Sequence, residues 1–160
     1  MAERARRVVV GLGNPDRGDD GAGRTVARRL RGRLPEDVAL VEHDGEASGL
    51  LAQIEGADAA YLIDACASGA PAGTVRRFDA ARAPLPEAAF EVSTHGLGLA
   101  AAVELARALG ALPRRCVVYA IEGQSFEVGA GLSPAAAAAV AEVVEQLVKE
   151  IRAPERAGHA

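Results

Sequence analysis

Short apolar runs alternate with longer stretches of helical spacing along most of this 160-residue chain. Runs of the first kind are typical of buried strands, and recurrence of apolar residues every three to four positions is typical of amphipathic helices. Regular alternation of the two indicates an α/β domain with a largely parallel sheet. The pattern predicts strands at residues 8–10, 38–42, 59–64, 73–78 and 116–121, and helices at residues 21–34, 47–54, 97–109 and 134–151.

Local signals refine this arrangement. Residues 73–78 are polar enough to predict an edge strand, and Ser133 followed by Pro134 is typical of a helix start, with serine as the cap and proline in the first turn. We therefore expect a three-layer αβα sandwich of the phosphorylase/hydrolase-like type, with a mixed, mostly parallel sheet of about five strands and helices on both faces. Residues 1–160 would form a single domain, with an ordered core at about 7–151 and loose tails.

Composition narrows the class of protein. A net charge of -4 and an aromatic content of 3% disfavour a nucleic-acid partner, since backbone phosphates require positive charge and single strands stack on aromatic rings. The predicted first helix is nevertheless arginine-rich, which favours a solvated face but leaves a docking surface for an acidic partner open. The arginines concerned are Arg24, Arg28, Arg29, Arg31 and Arg33.

The two cysteines and the lengths of the apolar runs indicate the expected cellular compartment of the protein. Cys66 and Cys116 lie in apolar segments without CxxC spacing, and no secretory signal precedes them, so we expect reduced core thiols in a cytoplasmic protein. No apolar run approaches the roughly 20 residues that a membrane helix requires, so no membrane association is expected.

The glycine-rich run at residues 11–23 joins the first predicted strand to the first predicted helix and contains adjacent Asp19 and Asp20. Ligands of open α/β sheets bind at such strand ends. A dinucleotide fingerprint is disfavoured because Asp16 occupies its third glycine position and the carboxylates would repel a pyrophosphate. One aspartate could cap the helix, but both cannot fill one cap position, which leaves the other for a different task.

Two further polar residues are predicted at strand or helix junctions. Asp64 ends the third strand, and His95 precedes the helix that starts near residue 97, while His43 competes with His95 on position alone. Asp20, Asp64 and His95 would form a donor set suited to nickel, zinc or a similar divalent ion with open positions. Such an ion can polarise a peptide carbonyl or acidify a water, with Asp19 or Asp44 available to support the ligands or accept a proton.

Several motifs, in order, resemble those of the hydrogenase maturation proteases, which trim the C-terminal extension of nickel-iron hydrogenase large subunits after metal insertion. The resemblance spans residues 8–151 and is most specific in its first and last motifs. The motifs are GLGN at 11–14, DDGAG at 19–23, DG at 44–45 with Gly49, IDA at 63–65, STHG at 93–96, IE at 121–122 and GAGLSP at 129–134.

The resemblance implies that Asp20, Asp64 and His95 form both the metal site and the catalytic centre, and that Asp44 and Asp19 contribute to substrate recognition. It also implies that nickel is supplied by the substrate, that no organic cofactor is needed, and that the partner is the large-subunit precursor. We expect a monomer. The family's acid at position 20 is often glutamate, and the shorter Asp20 could reach the metal through water.

Three alternatives accompany this interpretation. The opening GLGNP at residues 11–15 is also similar to that of peptidyl-tRNA hydrolases, but Asp19 and Asp20 stand where that family carries its catalytic histidine segment, and net acidity suits tRNA poorly. An aspartic-protease dyad would give His95 no role. A nickel-sensing chaperone that binds the precursor without cutting it would use the same residues.

Overall fold

The structure, a computed structural model, describes residues 6–86 and 96–153. Five strands form one sheet: β1 (Arg7–Leu12), β2 (Val38–His43), β3 (Ala59–Cys66), β4 (Val75–Asp79) and β5 (Arg115–Glu122). In the described ranges, a 3-10 turn (Gly18–Gly21) and four helices accompany them: α1 (Ala22–Arg29), α2 (Ala47–Ile54), α3 (Gly96–Ala108) and α4 (Pro134–Arg152).

The strand order is β2-β1-β3-β5-β4, with β4 antiparallel to β5 and the other neighbouring pairs parallel. Alternate residues of each strand face opposite sides, so the sheet separates two apolar clusters. One cluster includes Leu62 of β3, Leu50 of α2 and Val103 of α3, and the other includes Ile63 of β3, Val26 of α1 and Val143 of α4. The predicted α/β class, the mostly parallel mixed sheet and the helices on both faces are confirmed.

The predicted boundaries differ most at α1, which ends at Arg29 rather than at residue 34. The amide of Leu30 still donates to the carbonyl of Val26, and Leu30 remains buried. Gly32 has a φ of 77°, a left-handed conformation that is typical of helix ends. Residues 30–34 therefore form turns, although the apolar spacing continues into them.

Other local predictions are confirmed. Ser133 caps α4, its Oγ accepting from the amide of Ala136 at 3.2 Å. Strand β4 lies at the edge of the sheet, and Cys66 and Cys116 are buried free thiols. Within the described residues, no helix is long and apolar enough to cross a membrane.

The arginines of the first helical region are largely engaged within the chain. Arg24, Arg28 and Arg31 all form ion pairs with Glu42 near the end of β2, at 3.1, 2.9 and 3.2 Å. Arg33 pairs with Glu145 of α4 at 2.6 Å. This surface is thus charged and solvated, and two acids, Glu42 and Glu145, offset part of the charge of its arginines.

Candidate functional site

The carboxyl ends of β1 and β3 lie side by side in the sheet and carry the two acids predicted as ligands. Gly11 pairs with Ile63, so the next residues, Leu12 and Asp64, are level with each other. Asp64 is 0% exposed, and Asp20, in the 3-10 turn that follows β1, is 2% exposed. The structure therefore brings both carboxylates to the same edge of the sheet, as strand ends of an α/β fold predict.

A tight backbone approach places Asp20 in this position. Gly13 has a φ of 126°, and a side chain there would overlap the backbone oxygen of Asp20. The amide of Asn14 donates to Oδ2 of Asp20 at 3.0 Å, which orients the carboxylate. Gly21 rather than either aspartate is the N-cap of α1, so neither Asp19 nor Asp20 caps that helix.

Close packing of α1 on the sheet holds the C-terminal end of the 3-10 turn in place. A Cβ at Gly23 would overlap the backbone oxygens of Leu12 and Ile63. Only glycine lets the first turn of α1 approach β1 and β3 this closely. Gly23 thus serves helix–sheet packing beside the two acids, whereas Gly21 packs against the backbone of Pro15 in the preceding loop.

Asp19 has a different environment from its neighbour. Its Oδ2 accepts from the amides of Gln124 and Ser125 at 2.7 and 3.3 Å and from the hydroxyl of Ser133 at 2.8 Å, and its Oδ1 accepts from the amide of Ser133 at 2.7 Å. Burial would raise the pKa of Asp19, but these hydrogen bonds lower it below its usual value. Both oxygens of Asp19 therefore hold the segment between β5 and α4, and its expected role in substrate recognition stays a prediction.

Sequence reasoning did not single out a further buried acid at this end of the sheet, Glu122, which is 3% exposed at the end of β5. Its Oε1 accepts from the hydroxyl of Ser68 at 2.5 Å and lies 3.5 Å from Sγ of Cys66, and its Oε2 accepts from the amide of Ser68 at 2.9 Å. Arg76 of β4 lies 3.9 Å from Oε1. The signal was available in the sequence, because Glu122 ends an apolar strand as Asp64 does.

The thiol beside Glu122 is held in its neutral form. Burial, together with the adjacent Glu122 carboxylate, raises the pKa of Cys66 to about 12. A thiol with so high a pKa is a poor nucleophile at neutral pH. The interpretation of Cys66 as a core thiol, two residues beyond Asp64 and on the same side of β3, is consistent with this environment.

The residues at and after the end of β2 also lie at the carboxyl end of the parallel strands, next to β1. His43, largely buried, accepts from the amide of Gly45 at 2.9 Å through Nδ1, and its Nε2 faces Gly49 of α2. The Asp44 side chain is 76% exposed, so it is accessible to a macromolecule. Its expected role in recognising the substrate stays a prediction.

His95 lies outside the described residues, so its predicted place in the site is not tested. Helix α3 begins at the next residue, Gly96, and its Gly98 packs directly against the backbone oxygen of Gly45. Among residues 6–86 and 96–153, no group of three or more His, Cys, Asp and Glu side chains could hold a metal ion. The three-residue ligand set of Asp20, Asp64 and His95 therefore stays a prediction.

The amino-acid sequence is similar to those of known proteins. A family model described as hydrogenase maturation protease matches residues 25–150, a range that contains Asp44, Asp64 and His95. The chain is 28% identical over 151 residues to hydrogenase expression/formation protein HupD of Rhodobacter capsulatus, covering 92% of this chain and 72% of that protein. It is also 28% identical over 153 residues to hydrogenase 2 maturation protease of Escherichia coli, covering 92% and 91%.

The fold has a counterpart among solved structures. Hydrogenase maturating endopeptidase HybD from Escherichia coli superposes with a TM-score of 0.78 at 28% sequence identity, covering 92% of each chain. The similarity therefore extends over nearly all of both chains rather than over one motif.

Proposed function

This chain belongs to the hydrogenase maturation protease family, and we propose that it is an endopeptidase that removes the C-terminal extension of a nickel-iron hydrogenase large-subunit precursor after nickel insertion. The observation that carries the proposal is the placement of two buried acids, Asp20 in the turn after β1 and Asp64 on β3, at the carboxyl side of two adjacent parallel strands. The names of the similar proteins, which include a maturation protease and an endopeptidase, supply the reaction class.

The nickel in this proposal belongs to the substrate. Carboxylate oxygens and an imidazole nitrogen are donors that a divalent first-row metal accepts, so Asp20, Asp64 and His95 would ligate nickel already seated in the precursor. Burial disfavours the charged form of a carboxylate, whereas a nearby cation favours it. A precursor without nickel would lack this favourable interaction, which makes the metal a specificity check.

Cleavage would then follow at the adjacent peptide bond. Nickel held by the three side chains would polarise the scissile carbonyl, and a carboxylate would accept a proton from the attacking water. The water oxygen bonds to the carbonyl carbon, the carbon–nitrogen bond breaks, and the departing amine takes up a proton. Asp44, exposed at the same edge, would contact the precursor near the cut.

Incubation of the purified protein with nickel-loaded and nickel-free precursor tests the proposal. We expect a shortened large subunit, detected by intact mass, only with the nickel-loaded form. Cleavage of both forms alike would contradict nickel-dependent recognition. An intact, nickel-loaded precursor held in a stable complex would instead identify a maturation chaperone and overturn the peptidase assignment.

A further inference from the structure

One row of residues crosses three strands of the sheet beside the site. Asp64 of β3 pairs with Ala120 of β5, and Ala120 pairs with Arg76 of β4. Paired residues of neighbouring strands project to the same side, so these three side chains share the face that α2 and α3 cover. The row therefore has an acid at one end, a methyl group in the middle and a guanidinium at the other end.

The two charged ends of this row lie apart, on either side of the buried strand β5. Neighbouring strands lie about 4.8 Å apart, which separates the Cα atoms of Asp64 and Arg76 by about 10 Å. The side chain between them is the methyl group of Ala120. The side chain of Arg76 is 36% exposed, so part of this side chain is accessible to a ligand.

Arg76 is held in place by its neighbours. Its Nη2 donates to the hydroxyl of Ser68 at 2.6 Å and lies 3.9 Å from the buried carboxylate of Glu122. Its guanidinium also lies 5.9 Å from the ring centre of Phe78 on the same face of β4, a cation–π distance. A side chain restrained in this way loses little freedom when it binds a further acceptor.

We propose that Arg76 is a substrate-binding residue that donates hydrogen bonds to a backbone carbonyl of the precursor segment next to the cut. The inference deepens the proposed function and rests on it. Arg76 offers five N–H donors in a fixed plane, and the described contacts with Ser68 and Glu122 engage only one side of it.

Local charge favours a neutral carbonyl over a carboxylate as the ligand. Glu122 already balances the charge of Arg76, and Asp20 and Asp64 add negative charge at the same edge. An incoming carboxylate would be repelled by these acids, whereas a peptide carbonyl carries no net charge. The arginine would thus anchor the peptide backbone whatever side chains the segment carries.

The test separates binding by Arg76 from its role as a partner of Glu122. Arg76→Met alone would leave Glu122 buried without its cation, and that variant could fail to fold. The main test variant is therefore the double variant Arg76→Met/Glu122→Gln, which removes both charges. Glu122→Gln alone keeps the guanidinium. Arg82→Met is the matched control, because Arg82 is an exposed arginine just beyond β4 that pairs only at the surface with Asp79.

Cleavage kinetics on nickel-loaded precursor are the readout. We expect the KM of the double variant to be about tenfold higher than that of the parent, with kcat little changed. The reason is that the lost donor would bind the ground state and the transition state equally well. Arg82→Met should keep a KM within about twofold of the parent, and Glu122→Gln, which keeps the guanidinium but loses one of its restraints, should raise KM less than the double variant does. A parent-like KM in the double variant would overturn the assignment of Arg76.

Three further outcomes are decisive. High ionic strength should leave the ratio of the double variant's KM to the parent's KM unchanged, because the carbonyl ligand carries no net charge. A ratio that falls to one would show that Arg76 binds a carboxylate instead, since salt screens an interaction between two charges. If the parent protein itself cleaves no precursor, the proposed function fails. If the parent cleaves and only the variant ratios disagree, the Arg76 inference alone fails.

Discussion

Asp19 accepts hydrogen bonds from both the amide and the hydroxyl of Ser133, a residue 114 positions later in the chain. Ser133 in turn caps α4, so one carboxylate links the turn after β1 to the start of the last helix. Further backbone bonds join the same segments, from Asp19 to Ser125 and from Gly129 to Asp16. The turn that carries Asp20 and the segment between β5 and α4 therefore form one connected unit.

Asp19→Asn should destabilise the protein. An asparagine replaces one of two acceptor oxygens with a donor, so at least one buried amide or hydroxyl loses its partner, at a cost of about 1–3 kcal/mol in the free energy of unfolding. Urea denaturation measures this change. Asp16→Asn, at an exposed residue of the loop just before this turn, is the control and should change stability by less than about 0.5 kcal/mol. Equal stability of the two variants would show that the Asp19 contacts contribute nothing.

Asp20→Asn, Asp64→Asn and His95→Ala should each abolish most processing of nickel-loaded precursor. Loss of supporting groups around a metal costs about 10–100-fold, so loss of a ligand should lower kcat/KM by about a hundredfold or more. Circular dichroism checks that each variant is folded. The control is Asp37→Asn, just before the first residue of β2 and therefore at the other end of the strands from the site. This variant should process the precursor normally. Parent-like cleavage by any of the three would remove that residue from the site.

Gly23→Ala should be strongly destabilising. Its new methyl group would overlap the backbone oxygens of Leu12 and Ile63, which cannot move without disturbing β1 and β3. Overpacking of this kind costs about 1–3 kcal/mol, measured as the shift in urea midpoint. Gly131→Ala is a matched control, since a Cβ at Gly131 meets nothing within 4 Å. A parent-like midpoint for Gly23→Ala would mean that α1 can shift away from the sheet.

Glu150→Gln should reduce stability at neutral pH more than in acid. Burial would raise the pKa of Glu150, but hydrogen bonds from Arg77 and Tyr119, both at 2.6 Å, lower it below its usual 4.5. A carboxylate with a lowered folded pKa stabilises the fold above its unfolded pKa, and this stabilisation is lost as pH falls through the folded value.

Urea denaturation at pH values from about 7 down to about 3 measures this effect. The parent should exceed Glu150→Gln by about 1–2 kcal/mol at the upper end, and the difference should shrink towards the lower end. Glu36→Gln, at an exposed residue before β2, should change stability little at either end. A difference between parent and Glu150→Gln that stays constant with pH would contradict the assigned ionisation.

The sequence was enough to predict the sheet and its two helical layers, because apolar runs such as those of β3 and β5 report burial directly. It was enough to place Asp20 and Asp64 at strand ends. It could not reveal the partners of Asp19, since contacts between residues 19 and 133 depend on tertiary packing. Arg76 was equally hidden, because the direction of β4 decides which of its residues lies level with Asp64.

Glu42 binds three guanidiniums at once, those of Arg24, Arg28 and Arg31. Burial would raise the pKa of Glu42, but hydrogen bonds and charges from Arg24 and Arg28 lower it, so the group stays ionised at neutral pH. Without that acid, the two arginines on α1 and the one in the turn just after it would repel one another across a short distance. Replacing Glu42 leaves three cations without this partner, whereas replacing one arginine leaves the other two paired, so we expect homologous chains that lack the acid to carry fewer arginines at these positions.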